Sequence, residues 1–126
     1  MKVLYVEDVP MSTHVVRRIC QHLGYECVAA TNASEGLAGL QQQPDIILVD
    51  ISLPDMDGFQ LLHHMRDQKV ATPIVAVTAH AMTGERERCL AAGFNDYIAK
   101  PFGFEQMSSL LKSYEHRTGA SKEPNA

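Results

Sequence analysis

Five residues in this chain have side chains and placements suited to handling a phosphoryl group. Glu7 and Asp8 follow the apolar run "VLYV" (Val3 to Val6). Asp50 follows "IILV" (Ile46 to Val49), Thr78 follows "IVAV" (Ile74 to Val77), and Lys100 follows "YIA" (Tyr97 to Ala99). Any one of these is ordinary: an acid or hydroxyl after an apolar run is commonly a turn former or a helix cap. Four run ends with matching chemistry are far harder to reach by chance.

Three carboxylates brought into contact repel one another, and at least one pKa rises unless a cation sits among them. Mg²⁺ suits such a cluster, because it takes oxygen ligands, needs only one or two carboxylates and keeps several waters. A carboxylate kept ionised in this way can attack phosphorus. Charge then spreads over three equatorial oxygens. The metal, the Lys100 ammonium and the Thr78 hydroxyl could each hold one of them.

That chemistry requires the five residues to meet, so the elements carrying them matter. A fifth apolar run, "CVAA" (Cys27 to Ala30), ends at Thr31 and adds no chemistry of its own. The strongest runs are continuous rather than alternating, as expected for strands covered on both faces. Helix-period segments lie between them. Val15/Val16, Ile19/Cys20 and Leu23 form one stripe, with Gly24 as a stop. Ala33, Leu37 and Leu40 form a second, after a capping-box-like Asn32-x-x-Glu35. Leu61/Leu62 and Met65 follow Asp57-Gly58, and Cys89/Leu90 and Ala92 run from Thr83 to a stop at Gly93. Phe104, Met107, Leu110/Leu111 and Tyr114 form the last stripe. Strand and helix alternate five times. The pattern predicts an α/β fold: an open five-stranded parallel sheet, right-handed crossovers, helices on both faces. Ligands of such sheets bind beyond the carboxyl ends of the strands. If the first strand is central, the acids cluster there and Thr78 and Lys100 close one side.

The segments "VEDVP", "ILVDISLPDMDG", "VAVTAHA" and "DYIAKPF" occur in order at four strand ends. With them the chain resembles the receiver domains of two-component response regulators, the chemotaxis-regulator-like fold, over residues 1–117. The resemblance implies a flavodoxin-like sheet of order 2-1-3-4-5 with Asp50 as the phosphoacceptor. It implies that Asp8 binds Mg²⁺ directly, Glu7 through water and Ser52 through its backbone carbonyl. Thr78 matches the switch hydroxyl, Lys100 the phosphate-contacting lysine and Tyr97 the aromatic switch. Lys100-Pro101 matches a peptide bond that is cis in the family. The implied phosphodonor is a sensor histidine kinase or a histidine phosphotransfer protein, and the output is protein binding by a stand-alone, non-enzymatic domain with at most slow self-phosphorylation and self-dephosphorylation. A monomer or a phosphorylation-dependent dimer is expected. Two positions depart from the common pattern: Val9, where relatives commonly carry a polar residue, and His80, which with Ser52 sits where phosphoryl lifetime is tuned.

Composition narrows the remaining classes. The formal net charge of -4 and the pI near 5.8 argue against nonspecific nucleic-acid binding. No apolar run approaches membrane-spanning length and no basic-then-apolar leader opens the chain, so a cytoplasmic domain is expected. Cys20, Cys27 and Cys89 are odd in number and scattered, which predicts free thiols rather than a disulfide framework. Cys20-x-His22 with Cys27 lacks the second pair that a zinc site needs, and adjacent His63 and His64 point in different directions on a helix. "GERER" (Gly84 to Arg88) reads as a solvated helix face. Residues 118–126 read as a polar, disordered tail or linker stump.

Rival chemistries fit less well. A haloacid-dehalogenase-type phosphatase wants a second Asp two residues after its nucleophile, where this chain has Ser52. A dinucleotide-binding domain wants a Gly-rich loop after the first strand, where this chain has Glu7-Asp8. A receiver fold used purely for docking, without phosphorylation, is the other alternative. Of the four aspartates in "DIILVDISLPDMDGF", only Asp50 ends a strand. Asp45 marks the strand's start, and Asp55 and Asp57 are expected to shape the loop and cap the helix near Gly58.

Overall fold

The apolar runs form five parallel strands in the computed structural model, which describes residues 1–79 and 82–122, with side chains to residue 115. The strands are β1 (Lys2–Val6), β2 (Glu26–Ala30), β3 (Ile46–Asp50), β4 (Ile74–Thr78) and β5 (Asp96–Ala99). The helices between and after them are α1 (Pro10–Leu23), α2 (Ala33–Ala38), α3 (Gly58–Asp67), α4 (Glu85–Ala92) and α5 (Phe104–Lys122). A 3₁₀ turn, Gly39–Gln42, continues α2. α5 runs past Arg117, where the domain's end was expected. Residues 123–126 of the expected tail and His80 lie outside the described residues.

The sheet order is β2-β1-β3-β4-β5, as the resemblance implied. β1 is therefore flanked by β3, and the register pairs Val6 with Val49, Asp50 with Val77 and Thr78 with Ala99. This register aligns the carboxyl ends of four strands along one rim.

Side-chain alternation divides the core. Val3 and Tyr5 of β1 face Val16, Ile19 and Cys20 of α1 and Met107, Leu111 and Tyr114 of α5. Leu4 and Val6 face the other way, toward α2, α3 and α4 through Ala33, Leu61, Leu62, Met65 and Cys89. β3 and β4 are buried at every residue, which explains their continuous apolar character. Each buried Val, Leu or Ile contributes about 1.5–3 kcal/mol. Those contributions offset the cost of holding acids and a hydroxyl at the strand ends.

Helix ends follow sequence signals with two exceptions. Gly24 and Gly93 close α1 and α4 in the left-handed region, at φ 80° and 119°. Asp57 caps α3 in a reciprocal box with Gln60. The Asn32 side chain accepts from the Glu35 N–H, but Glu35 reaches back to Thr31 rather than to Asn32. Asp55, expected to serve α3, instead accepts from the N–H groups of Ala33 and Ser34 at the start of α2. Asp45 accepts from the Lys2 N–H at 2.7 Å and so ties the opening of β3 to that of β1.

Candidate functional site

The rim of the sheet gathers the strand-end residues singled out by the sequence. Glu7 and Asp8 leave β1, Asp50 ends β3 beside them, Thr78 ends β4, and Lys100 follows β5. One carboxylate oxygen from each of Glu7, Asp8 and Asp50 lies within 4.8 Å of the other two. Glu7, Asp50 and Thr78 are buried, at 1%, 4% and 1% exposure, while Asp8 is open to solvent.

Lys100 reaches across two strands to this group. Its backbone N–H donates to the Thr78 carbonyl at 2.7 Å, which seats the residue against β4. Its Nζ lies 2.6 Å from Glu7 Oε1 and 3.2 Å from Asp50 Oδ2. The Lys100-Pro101 peptide is cis, as expected. Asp50 Oδ1 accepts from the Ser52 N–H at 2.9 Å, so both of its oxygens are held. Glu7 Oε2 accepts from the Val9 N–H at 3.1 Å, while the Val9 side chain is 42% exposed at the rim.

These contacts set the protonation of the pair. Burial pushes the Asp50 carboxyl up, and its hydrogen bond with Glu7 pushes it further, to about 6 despite the Ser52 N–H and Lys100. Burial also opposes charge on Glu7. There, hydrogen bonds from Asp50, Lys100, Tyr5 and the Val9 N–H outweigh it and hold the carboxyl below its ordinary range. Burial disfavours the Lys100 ammonium too, but Glu7 and Asp50 more than compensate and raise its pKa. Glu7 therefore holds its charge the more firmly, and Asp50 is the carboxyl of the pair that takes up a proton first as pH falls.

Sequence reasoning missed two contributors. Tyr5 is fully buried and its hydroxyl donates to Glu7 Oε1 at 2.8 Å. The spacing of two residues along one chain face was the available signal, hidden because Tyr5 reads as one more apolar residue in "VLYV". Gly58 is the other. A Cβ there would lie 2.7 Å from Ile51 Cα and 2.9 Å from the Asp50 carbonyl oxygen. Only glycine lets the start of α3 close on the backbone that carries Asp50.

Tyr97 does not join the rim cluster. It is half-buried on β5, opposite Ala76, and packs with the α2–α4 layer. Burial raises its pKa, with Glu85 as the next cause. The "GERER" segment is also less solvated than expected. Glu85 is buried at 9% exposure, and the Arg88 guanidinium stacks 4.5 Å above the Phe59 ring, joining α4 to α3.

The donor set fits Mg²⁺. Three carboxylates against one ammonium leave two negative charges, the charge of one divalent cation, and every donor is a hard oxygen. Among the described residues, these three acids form the one cluster of metal-ligating side chains. His22 is turned edge-on to Phe104, and His63 and His64 are exposed.

A doubly wound sheet with this rim defines a class. The family model for the response regulator receiver domain matches residues 3–112, and the chain belongs to that family. It is a receiver domain of two-component signalling. Over 125 residues it is 36% identical to the signal transduction histidine-protein kinase BarA of Escherichia coli (strain K12); the match covers 96% of this chain and 14% of that kinase. Among solved structures, it is similar to the receiver domain of the sensor histidine kinase PA1611 from Pseudomonas aeruginosa PAO1, with 35% identity and a TM-score of 0.80 over 90% of this chain and 95% of that one. That structure has a magnesium ion coordinated in its active-site cleft. The chemotaxis response regulator CheY4 of Vibrio cholerae matches with 30% identity and a TM-score of 0.82 over 90% and 97% of the two chains. No helix among the described residues is long and apolar enough to cross a membrane.

Proposed function

We propose that Asp50 accepts a phosphoryl group from a phosphohistidine on a sensor histidine kinase or histidine phosphotransfer protein. The observation that carries this reading is the Lys100 bridge between Glu7 and Asp50 at the rim, 2.6 Å and 3.2 Å from the two carboxylates. A cation so placed is ready to follow negative charge from a carboxylate to a phosphoryl oxygen.

In the transfer, an Asp50 carboxylate oxygen bonds to phosphorus as the phosphorus–nitrogen bond of the donor breaks. The departing imidazole nitrogen keeps the electron pair and takes a proton. Asp8 and Asp50, with Glu7 through water and the Ser52 carbonyl, would hold Mg²⁺. When bound, that ion would offset the repulsion among the acids, favour the ionised form of Asp50 and offset charge on the phosphoryl oxygens. Lys100 moves its contact from the carboxylates to one phosphoryl oxygen, and the Thr78 hydroxyl donates to another.

The resulting acyl phosphate biases a surface with two arrangements. A ligand shifts such an equilibrium only through contacts that differ between the states. Here those contacts are Thr78 and Lys100. Thr78 pairs with Ala99, two residues after Tyr97, so its movement is coupled to repacking of the Tyr97 ring against α4. The domain acts without turnover of its own beyond slow self-phosphorylation and hydrolysis, and binds a downstream protein, as a monomer or a phosphorylation-dependent dimer in the cytoplasm.

The direct test is intact-mass spectrometry after incubation with acetyl phosphate and Mg²⁺. One phosphoryl adduct is expected on the wild-type chain and none on Asp50→Asn. Equal uptake by both would remove Asp50 from the role, and uptake by neither would favour a docking module that is never phosphorylated.

A further inference from the structure

The phosphoryl step requires Lys100 to leave a buried carboxylate. Its Nζ lies 2.6 Å from Glu7 Oε1, and Glu7 is only 1% exposed, so solvent is poorly placed to replace the lysine. Asp50 is the other carboxylate that Lys100 touches. Its charge passes into the phosphoryl group when the acyl phosphate forms, and it then has no proton to offer Glu7. Glu7 keeps its charge. A buried, charged acceptor left without a donor is costly, so the departure of Lys100 is opposed unless another donor stays on Oε1.

Tyr5 is placed to be that donor. Its hydroxyl donates to Glu7 Oε1 at 2.8 Å, the same oxygen that Lys100 approaches. The Glu7 N–H continues the strand ladder by donating to the Ala30 carbonyl at 2.8 Å, so Tyr5 and Glu7, two residues apart, point to one face. Glu7 Oε2 is held separately, by the Val9 N–H at 3.1 Å. The Tyr5 ring is fully buried in the layer with Val16, Met107 and Tyr114, and its strand neighbours are Ala29 and Leu48. Packing holds the phenol in one place, whereas the four-carbon stem of Lys100 lets its ammonium swing.

We propose that Tyr5 is a positioning residue for phosphoryl transfer: its hydroxyl keeps Glu7 Oε1 occupied while Lys100 crosses to the phosphoryl oxygen. The role rests on Asp50 as the phosphoacceptor. In the resting domain Lys100 and Tyr5 both serve Oε1, so loss of the hydroxyl is felt chiefly when the ammonium moves. Tyr5 acts through Glu7 and Lys100 and touches no reacting atom.

The experiment follows uptake from acetyl phosphate by intact mass, over a series of Mg²⁺ concentrations, for the full chain, Tyr5→Phe and Tyr114→Phe. An Asp50 oxygen bonds to phosphorus as acetate leaves with the electron pair of the phosphorus–oxygen bond. Tyr5→Phe keeps the ring and removes the hydroxyl. Its rate at saturating Mg²⁺ should fall on the order of tenfold, as for a lost hydrogen bond to a charged acceptor, while the Mg²⁺ concentration at half the maximal rate moves less than about twofold. Tyr114 is a buried tyrosine of the same layer with its hydroxyl 3.3 Å from Asp96 Oδ2, away from the rim. Tyr114→Phe is the packing control and should keep the wild-type rate. A Tyr5→Phe chain with the wild-type rate, or slowed no more than Tyr114→Phe, would overturn the proposal. So would a loss that extra Mg²⁺ recovers, which would place the effect at the metal. In the wild-type chain, beryllofluoride with Mg²⁺ should shift the NMR signal of the Lys100 ammonium and leave that of the Tyr5 hydroxyl protected. A hydroxyl signal lost to exchange would also overturn the proposal, whether or not the variant folds. A wild-type chain that takes up no phosphoryl group would instead remove the acceptor reading.

Discussion

Lys100 Nζ sits 2.6 Å from Glu7 Oε1, closer than its 3.2 Å approach to Asp50 Oδ2. In the unphosphorylated domain the lysine is thus held mainly by the acid that is not the proposed acceptor. Removing one partner of a buried ion pair strands the other charge. The Lys100 side chain keeps 19% exposure, and solvent there softens that penalty. Lys100→Met is expected to lower metal-free stability by about 1–3 kcal/mol in urea titration. The loss should shrink when Mg²⁺ is added, because the ion takes over the neutralisation. An unchanged midpoint in metal-free buffer would show that the bridge is energetically empty.

The raised pKa of Asp50 makes a second prediction with the opposite sign. A carboxyl whose folded pKa is raised, here from 3.8 to about 6, favours folding at low pH and costs stability as pH rises through that range. Asp50→Asn removes the cost while keeping an acceptor for the Ser52 N–H. The metal-free variant should be more stable than wild type at pH 7.5, by at most about 3 kcal/mol, the free energy equivalent of that shift. The advantage should vanish below about pH 3, where the wild-type carboxyl is protonated in both states. Measuring the two unfolding curves at both pH values decides it, and a variant less stable than wild type at pH 7.5 contradicts the assignment of strain to Asp50.

Mg²⁺ binding should appear as thermal stabilisation, since a ligand of the folded state alone shifts unfolding by mass action. At a hundredfold excess over Kd the expected gain is about 2.7 kcal/mol for wild type. Asp8 is the exposed member of the cluster, and Asp8→Asn should abolish most of the gain without lowering the metal-free Tm. A variant that responds to Mg²⁺ like wild type would move the cation elsewhere.

The strands and the rim cluster were legible because parallel strands covered on both faces are continuous apolar runs. Such a sheet also exposes its chemistry at one end, so Glu7, Asp8, Asp50, Thr78 and Lys100 could be named from their positions just past the runs. The strand order was not legible from the runs themselves; it came with the family resemblance. Contacts that depend on distant elements were hidden. Asp55 caps α2, on the other side of β3 in sequence, and no local pattern distinguishes it from Asp57, which caps its own helix. Arg88 stacks on Phe59 of another helix, so a charge run that looks solvated is partly a packing surface.

Gly58 should tolerate no side chain, for reasons of contact rather than backbone angle. A helix start ordinarily prefers alanine to glycine. Here the added methyl would meet Ile51 Cα at 2.7 Å and the Asp50 carbonyl at 2.9 Å, both backbone atoms with little freedom to yield. Overpacking of this kind costs about 1–3 kcal/mol, so Gly58→Ala should lower stability and slow phosphoryl uptake by displacing Asp50. Gly103, with nothing within 4 Å, is the control, and Gly103→Ala should leave both unchanged. Equal behaviour of the two variants would dismiss the close approach as the reason for glycine.

Asp55 offers a pH-dependent test of a contact that the sequence did not reveal. Its carboxylate accepts from the Ala33 N–H at 2.8 Å and the Ser34 N–H at 3.2 Å, joining the loop after β3 to the start of α2. The Ala33 bond is the main cause holding its pKa below the ordinary 3.8, with burial opposing and Ser34 adding to it. For a depressed acid, the stabilisation is fully present above the unfolded value and is lost as pH falls through the folded one. Asp55→Ala should therefore lower Tm by a few degrees at pH 7. The gap between variant and wild type should stay constant down to about pH 4.5 and close below 3.8, as the wild-type carboxyl takes up its proton. Thermal unfolding followed by circular dichroism at several pH values between 7 and 2.5 measures that gap directly. A gap that persists unchanged at the acid end would mean that the side chain contributes packing rather than a charged cap.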